Sequence, residues 1–300
     1  MTSTALLHQK HLMIRLMGAS QPPDVVYHYT TAAGLLGICT SKKIWATNIR
    51  YLNDSEEFRY TLDLAATHLA SLDDKITGEQ EKLLISEWKE TLAVALQVRV
   101  YVASFSENGD QLSQWRAYGR GSGYAIGFTP LVLMNALLQS PHPPCWLKCI
   151  YDRDQQLENL QYATTYLLEK FAAGPIPEPP DDVTYRMGFA LDFFSHLLVL
   201  AACFKHPAFE EEAEWRLILR QEVAANAAVG LRFRESGRTL APYLEVPLGL
   251  PDSGGLRIDQ VVVGPNPHMD TAVSAVSALL EQEGVTHDGV GASVIPYRDW

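Results

Sequence analysis

The sequence predicts an α+β fold, a single mixed domain with a predominantly antiparallel sheet, on three observations. Helix-period and strand-period patterns alternate through the first half without a repeating unit. The second half is dominated by short extended runs: Glu214 to Leu219, Leu231 to Phe233, Tyr243 to Val246, Ile258 to Val263 and Ser293 to Ile295. No composition shift marks a clean internal boundary in the 300 residues, and 47% hydrophobic against 20% charged residues supplies enough apolar material for a large core.

Taken in order, residues 1–23 read as a weakly amphipathic arm ending at Gln21-Pro22-Pro23, and residues 24–300 form the body. Val25 to Tyr29 opens it as a strand, Ala32 to Cys39 is a short helix, and Ile44 to Thr47 is again extended. Asp54 with Glu57 has capping-box spacing and introduces a helix, followed by a second from about Gln80 to Leu96. Val98 to Phe105 alternates as a strand does, Asp110 to Tyr118 reads as one amphipathic helix, and Tyr124 to Phe128 and Trp146 to Tyr151 read extended. Leu157 to Phe171 is helical, Gly174 to Pro180 is a stiff excursion, and the apolar Met187 to Phe204 is a buried helix. Helical insertions are therefore expected at about 54–97 and 155–204, with a late helix from Asp270 to Glu283.

The net charge of −11 excludes a broad basic surface for nucleic acid or for an anionic membrane, while leaving room for a local patch. His8, Lys10, His11 and Arg15 interrupt the first apolar stretch, so it does not read as a signal peptide. No run approaches the roughly 20 apolar residues that a bilayer span requires. Four irregularly spaced cysteines do not make a disulfide framework, and a cytoplasmic protein is expected. The sequence leaves the oligomeric state open.

Four segments carry polar groups at strand ends. His28, with Thr30 or Thr31, stands where a strand meets a helix start, a place suited to an anionic oxygen; the plainer reading is a core histidine with Thr30 or Thr31 as the N-cap. Ser104 and Ser106 leave a buried strand ahead of Leu112-Ser113-Gln114-Trp115-Arg116-Ala117-Tyr118-Gly119, and either line a cleft or build a turn. Gly119-Arg120-Gly121-Ser122-Gly123 delivers Tyr124 onto a strand, without the register of either nucleotide-binding glycine motif. Glu212 and Glu214 would share one face if extended, which raises the proton affinity of one carboxylate; the alternative is an acidic turn partnered by Arg216. His142, Cys145 and Cys149, with Cys203 as a distant fourth, form the one arrangement worth weighing for a metal, but the cysteines read better as small core residues, so no metal is assigned.

Tyr27-His28-Tyr29-Thr30, Tyr51-Leu52-Asn53-Asp54 with Glu57, Ser104-Phe105-Ser106, Leu112 to Gly119, Phe209-x-x-Glu212-x-Glu214-Trp215-Arg216, Val263-Gly264-Pro265 and Ile295-Pro296-Tyr297-Arg298 together resemble a bacterial family known only as a domain of unknown function. More remotely, His28 on an early strand, Tyr124 after a Gly-rich loop and Glu214 on a late strand resemble the His-Tyr-Glu order of diphtheria-toxin-like and PARP-like ADP-ribosyltransferases. A tyrosine follows His28 where PARP-like proteins usually have glycine, and the Gly-rich loop is one residue longer.

This second resemblance implies an ADP-ribosyltransferase-like core and NAD as substrate. His28 would bind a ribose hydroxyl, and Tyr124, or Tyr29, Tyr101 or Tyr118 in its place, would stack on nicotinamide. Thr30, Ser104 and Ser106 would line the dinucleotide, and Arg120 or Lys205 would meet its pyrophosphate. Glu214 would steady the cation that forms as the glycosidic bond breaks, and Glu212 would orient or deprotonate the acceptor, which is a protein, a nucleic acid or water. The expected function is an NAD-consuming ADP-ribosyltransferase or NAD glycohydrolase acting as a bacterial toxin or antiviral defence effector. Two other classes stay open: a metal-dependent hydrolase or nuclease using His28 with Asp54, Glu57, Glu212 and Glu214 as oxygen ligands, and a non-enzymatic ligand sensor or partner-binding module.

Overall fold

The computed structural model describes residues 3–52, 55–95, 97, 99–119, 123–139, 144–174, 181–220, 230–236, 239–250 and 254–296. In chain order its elements begin with helix α1 (Ser3–Gly18), strand β1 (Val26–Thr31), helix α2 (Ala32–Ser41) and strand β2 (Lys43–Asn48). Helices α3 (Ser55–Ala70) and α4 (Glu79–Ala95) precede strand β3 (Val100–Ser106). A short helix α5 (Leu112–Gln114), strand β4 (Gly123–Phe128), helix α6 (Pro130–Gln139) and strand β5 (Pro144–Lys148) come next. The long helices α7 (Arg153–Ala172) and α8 (Asp182–Cys203) lead to strands β6 (Glu214–Arg220), β7 (Leu231–Ser236), β8 (Thr239–Pro247) and β9 (Gln260–Val263), then helix α9 (Met269–Gln282) and strand β10 (Gly289–Ala292).

The chain packs as two compact units. The first comprises 1–20, 49–100 and 149–210, and both stretches expected as helical insertions fall within it. Its core is helix on helix: Trp88 of α4 stacks on Phe193 of α8 at 4.8 Å, and its indole N–H donates to the Phe189 carbonyl at 3.2 Å. α7 and α8 start at aspartate caps, Asp152 accepting from the Gln155 amide at 2.8 Å and Asp181 from the Thr184 amide at 2.7 Å. Contrary to the expectation that no run approaches spanning length, α8 is long and apolar enough to cross a membrane. Yet 67% of its apolar window is buried inside the protein, and it serves as the core helix that the apolar pattern predicts.

The second unit comprises 21–48, 101–148 and 211–300. Here one open, mostly antiparallel sheet runs β10-β9-β4-β1-β3-β2-β8-β7, and β6 pairs with both β3 and β5. The β9–β10 pair is parallel. β-Branched and aromatic residues make β1, and Thr31 then ends the strand and caps α2, its hydroxyl accepting from the Gly34 amide at 3.3 Å. One sheet face builds the larger core from Val26, Phe105, Ile126, Trp146, Trp215 and Leu217 with apolar residues of α2 and α9; the other carries a smaller cluster of Tyr29, Trp115, Ala125 and Val262.

Several elements differ from expectation, among them α6, which the sequence reading does not contain. The helix expected over Asp110 to Tyr118 is α5 followed by a π-helical turn, Trp115–Gly119. The strand expected at Ser293 to Ile295 lies earlier, at β10; the Ser293 amide still reaches the Val263 carbonyl, but Asp110 takes the Ser293 hydroxyl and the Val294 amide, so the ladder ends there. β5 stops at Lys148, and Ile150 instead bridges to Phe204. The capping aspartate Asp54 and the Pro-rich stretch 175–180 lie outside the described residues.

Candidate functional site

β1 and β4 pair with Thr30 opposite Tyr124 and His28 opposite Ile126, so alternation puts His28, Thr30 and Tyr124 on one face, that of the larger core. His28 Nδ1 lies 2.9 Å from the Ser104 carbonyl oxygen, which can only accept; the ring therefore carries its proton on Nδ1 and offers Nε2 as an acceptor. Burial lowers the imidazole's proton affinity below its ordinary value, outweighing that carbonyl, and the ring packs 5.6 Å from Phe105. Thr31, not Thr30, caps α2. The Thr30 hydroxyl fills the place a Cβ of residue 34 would take, which requires Gly34.

On the other face the Tyr29 hydroxyl donates to the Asn108 carbonyl at 2.8 Å and accepts from the Gln111 amide at 3.1 Å. Its ring meets the edge of Trp115 at 4.7 Å, and burial pushes its pKa well upward. Asp110 ties this cluster together: Oδ1 accepts from the Trp115 indole at 2.7 Å and the Ser293 hydroxyl at 2.5 Å, and Oδ2 from the Val294 amide at 2.8 Å. Trp115 also lies so close to Gly264 that a Cβ there would approach the indole and the Gly123 carbonyl to 2.9 Å.

The exit of β3 meets the start of β6. Ser106 Oγ donates to the Glu212 carbonyl at 2.8 Å, and the Glu107 amide donates to the Ala213 carbonyl at 3.1 Å. Ala213 has φ of 42°, a left-handed conformation that a residue with a Cβ adopts at a cost of about 1–2 kcal/mol. That residue turns the chain from a 3-10 turn, Pro207–Glu212, into β6, so Glu212 and Glu214 are not successive residues on one strand face, as an extended reading would have them. Glu107 pairs with Lys148 at 2.7 Å and accepts from the Trp215 indole at 2.8 Å; burial opposes its ionisation, but these two partners hold its pKa below the ordinary carboxylate value.

Glu214 and Arg216 are both buried, and two contacts join them: Nε to Oε1 at 2.7 Å and Nη2 to Oε2 at 3.1 Å. Trp215, Leu217 and Leu219 belong to the larger core, so alternation directs Glu214 and Arg216 from the opposite face of β6.

Among the residues expected at a site, β3 thus brings two groups together. Ser104 holds His28, and Ser106, two residues further and on the order of 7 Å along the strand, holds the Glu212 backbone. Lys205 belongs to the helical unit, where its fully buried ammonium lies 3.2 Å from Glu57. Arg120 lies outside the described residues, as does His142. Among the described residues, no group of three His, Cys, Asp or Glu side chains is placed to hold a metal ion, and Cys145, Cys149 and Cys203 are buried thiols. Sequence reading missed Glu107, Asp110 and Lys148; the Asp110-x-x-x-x-Trp115 spacing is the one local hint of this network.

Residues 114–217 match a family described as "Protein of unknown function (DUF2971)", in agreement with the resemblance to an uncharacterised family. That segment contains Tyr124, Glu212 and Glu214 but not His28, and the family's description carries no reaction. No curated protein and no solved structure matches the chain.

Proposed function

We propose that the sheet unit is an NAD-consuming enzyme of the ADP-ribosyltransferase or NAD glycohydrolase type, built on an ADP-ribosyltransferase-like core. The observation that supports the reading is the convergence of two distant segments on the exit of β3, His28 through Ser104 and Glu212 through Ser106. His28, neutral and with Nε2 as acceptor, suits a ribose hydroxyl, and Tyr124, paired with Thr30, suits a nicotinamide ring. Glu214 leaves β6 on the face opposite His28 and Tyr124, so in this reading it reaches the sugar around the start of the strand, where it would stabilise the cation as the C–N bond to nicotinamide breaks, with the electron pair leaving on the base. Glu212 would take the proton from the attacking acceptor or water. Phosphate contact falls to Arg120, since Lys205 is engaged by Glu57.

The test is nicotinamide release from NAD, together with thermal protection of the protein by NAD. Glu214→Gln is expected to lower turnover by about 100-fold or more; because it also leaves the buried Arg216 without its anion, the melting temperature falls too, and turnover is compared at a temperature where circular dichroism shows the variant folded. Absence of both nicotinamide release and thermal protection at millimolar NAD would overturn the reading.

The closure of Arg216 on both oxygens of Glu214 favours a second reading, a ligand-binding module without turnover. That reading expects ligand protection without product, and biological activity that survives both His28→Ala and Glu214→Ala.

A further inference from the structure

The face of β2, β8 and β7 that carries Trp45 is separate from the residues assigned above. Register places Trp45 opposite Glu245, Thr47 opposite Tyr243, Tyr243 opposite Arg232, and Ala241 opposite Arg234, so these side chains share one face at the β7 end of the sheet. Trp45 leans on Tyr243, with ring centres 4.4 Å apart and planes 30° from parallel, and 44% of the tryptophan remains exposed. One side of the indole is therefore backed by a buried tyrosine, and the other is open.

The charges around it do not balance. Lys43 at 2.8 Å and Arg232 at 3.2 Å share the single carboxylate of Glu245. Arg234, half-buried, donates to the Thr47 hydroxyl at 3.3 Å, a neutral acceptor, and among the described residues no carboxylate pairs with it. Burial lowers the proton affinity of this guanidinium, yet it stays a cation at neutral pH. Among the described residues this half-buried cation has no anion, which is costly to keep, and the chain's net charge of −11 is a screened background that does not replace a direct partner.

We propose that this face is a nucleotide-binding site, in which a nucleobase stacks on the open side of Trp45 and the attached phosphate is received by Arg234 with help from Arg232. Arg234 starts on β7 four residues further along than Trp45, but its guanidinium reaches back to Thr47, two residues and about 7 Å along β2 from Trp45, which suits the span from a stacked base to its phosphate group. A single strand is held on successive stacking rings, whereas Trp45 is the one exposed ring on this face among the described residues; the unit bound is a single nucleotide. The inference is independent of the NAD reading.

The test titrates the full chain with AMP and UMP by calorimetry, and with fluorescein-labelled oligo(dT) by anisotropy. UMP lacks adenine, so its binding does not report on NAD recognition. Trp45→Ala and Arg234→Gln are each expected to weaken UMP binding about 10-fold, Trp45→Phe to retain part of it, and added salt to weaken it in the parent but less in Arg234→Gln. Unchanged thermal midpoints in the variants secure the comparison. Displacement of oligo(dT) by UMP at UMP's own affinity identifies a free nucleotide as the ligand, and a much tighter oligo(dT) complex with the same two dependences identifies a strand end. Failure of all three probes to bind the parent at millimolar concentration would overturn the proposal, as would binding that Trp45→Ala and Arg234→Gln leave unchanged.

Discussion

Arg216 grips Glu214 from two residues along the same strand, through one contact of 2.7 Å and another of 3.1 Å, with both side chains buried. Such a pair is fixed in place because neither member can be removed alone. Arg216→Met leaves a buried carboxylate without its guanidinium and is expected to destabilise the protein by about 3–5 kcal/mol, whereas Glu214→Leu with Arg216→Met together recovers most of that loss. Urea denaturation of the two single variants and the double variant measures the coupling. Additive losses would show that the pair contributes nothing as a pair.

A second consequence concerns acid. Burial holds the His28 imidazole below its ordinary pKa near 6.5, while in the unfolded chain the ring takes its proton at that value. Between the two values the unfolded state binds more protons, so stability falls as the pH drops from about 6.5 toward the folded-state pKa, and rises again on return to neutrality. Buried His68 acts in the same direction in the helical unit. Asparagine keeps an N–H for the Ser104 carbonyl without titrating. His28→Asn is therefore expected to flatten part of the decline in melting temperature below pH 6.5, leaving the His68 share; a curve parallel to the parent's would refute this origin.

Local chemistry made much of this structure legible and the site much less so. The β-branched and aromatic run from Val25 to Tyr29 and the threonine before Ala32 announce β1 and α2, because strand propensity and capping act within a few residues. The apolar run ending at Phe204 announces a buried helix for the same reason, and its cap Asp181 extends it to an earlier start than the apolar pattern alone indicates. Glu212-x-Glu214 misled because a left-handed Ala213 breaks the period on which a shared face depends, and nothing in an alanine signals positive φ. Lys205 reads from sequence as a free cation, but Glu57, 148 positions earlier, claims it through tertiary packing. The faces of His28 and Glu214 also follow from packing, since only the core membership of Phe105 and Trp215 shows which side of each strand is buried.

Asp110 gives the sharpest case of a role that packing alone reveals, and it carries the third prediction. One carboxylate receives the Trp115 indole, the Ser293 hydroxyl and the Val294 amide, so it fastens a segment 183 positions away onto the turn after β3. Hydrogen bonds to a charged acceptor contribute about 1.5–3 kcal/mol each and are not additive when they share it. Asp110→Ala is expected to cost about 3 kcal/mol overall and to release the amide protons of 294 and 295 to exchange far faster than those of β9 and of 293, whose amide the Val263 carbonyl holds. Asp110→Asn keeps one carbonyl acceptor but turns an NH2 toward a donor, and an intermediate loss is expected. Hydrogen exchange read by mass spectrometry separates the outcomes: protection at 294 and 295 that survives Asp110→Ala would mean that the β10 pairing, and not the carboxylate, holds this segment in place.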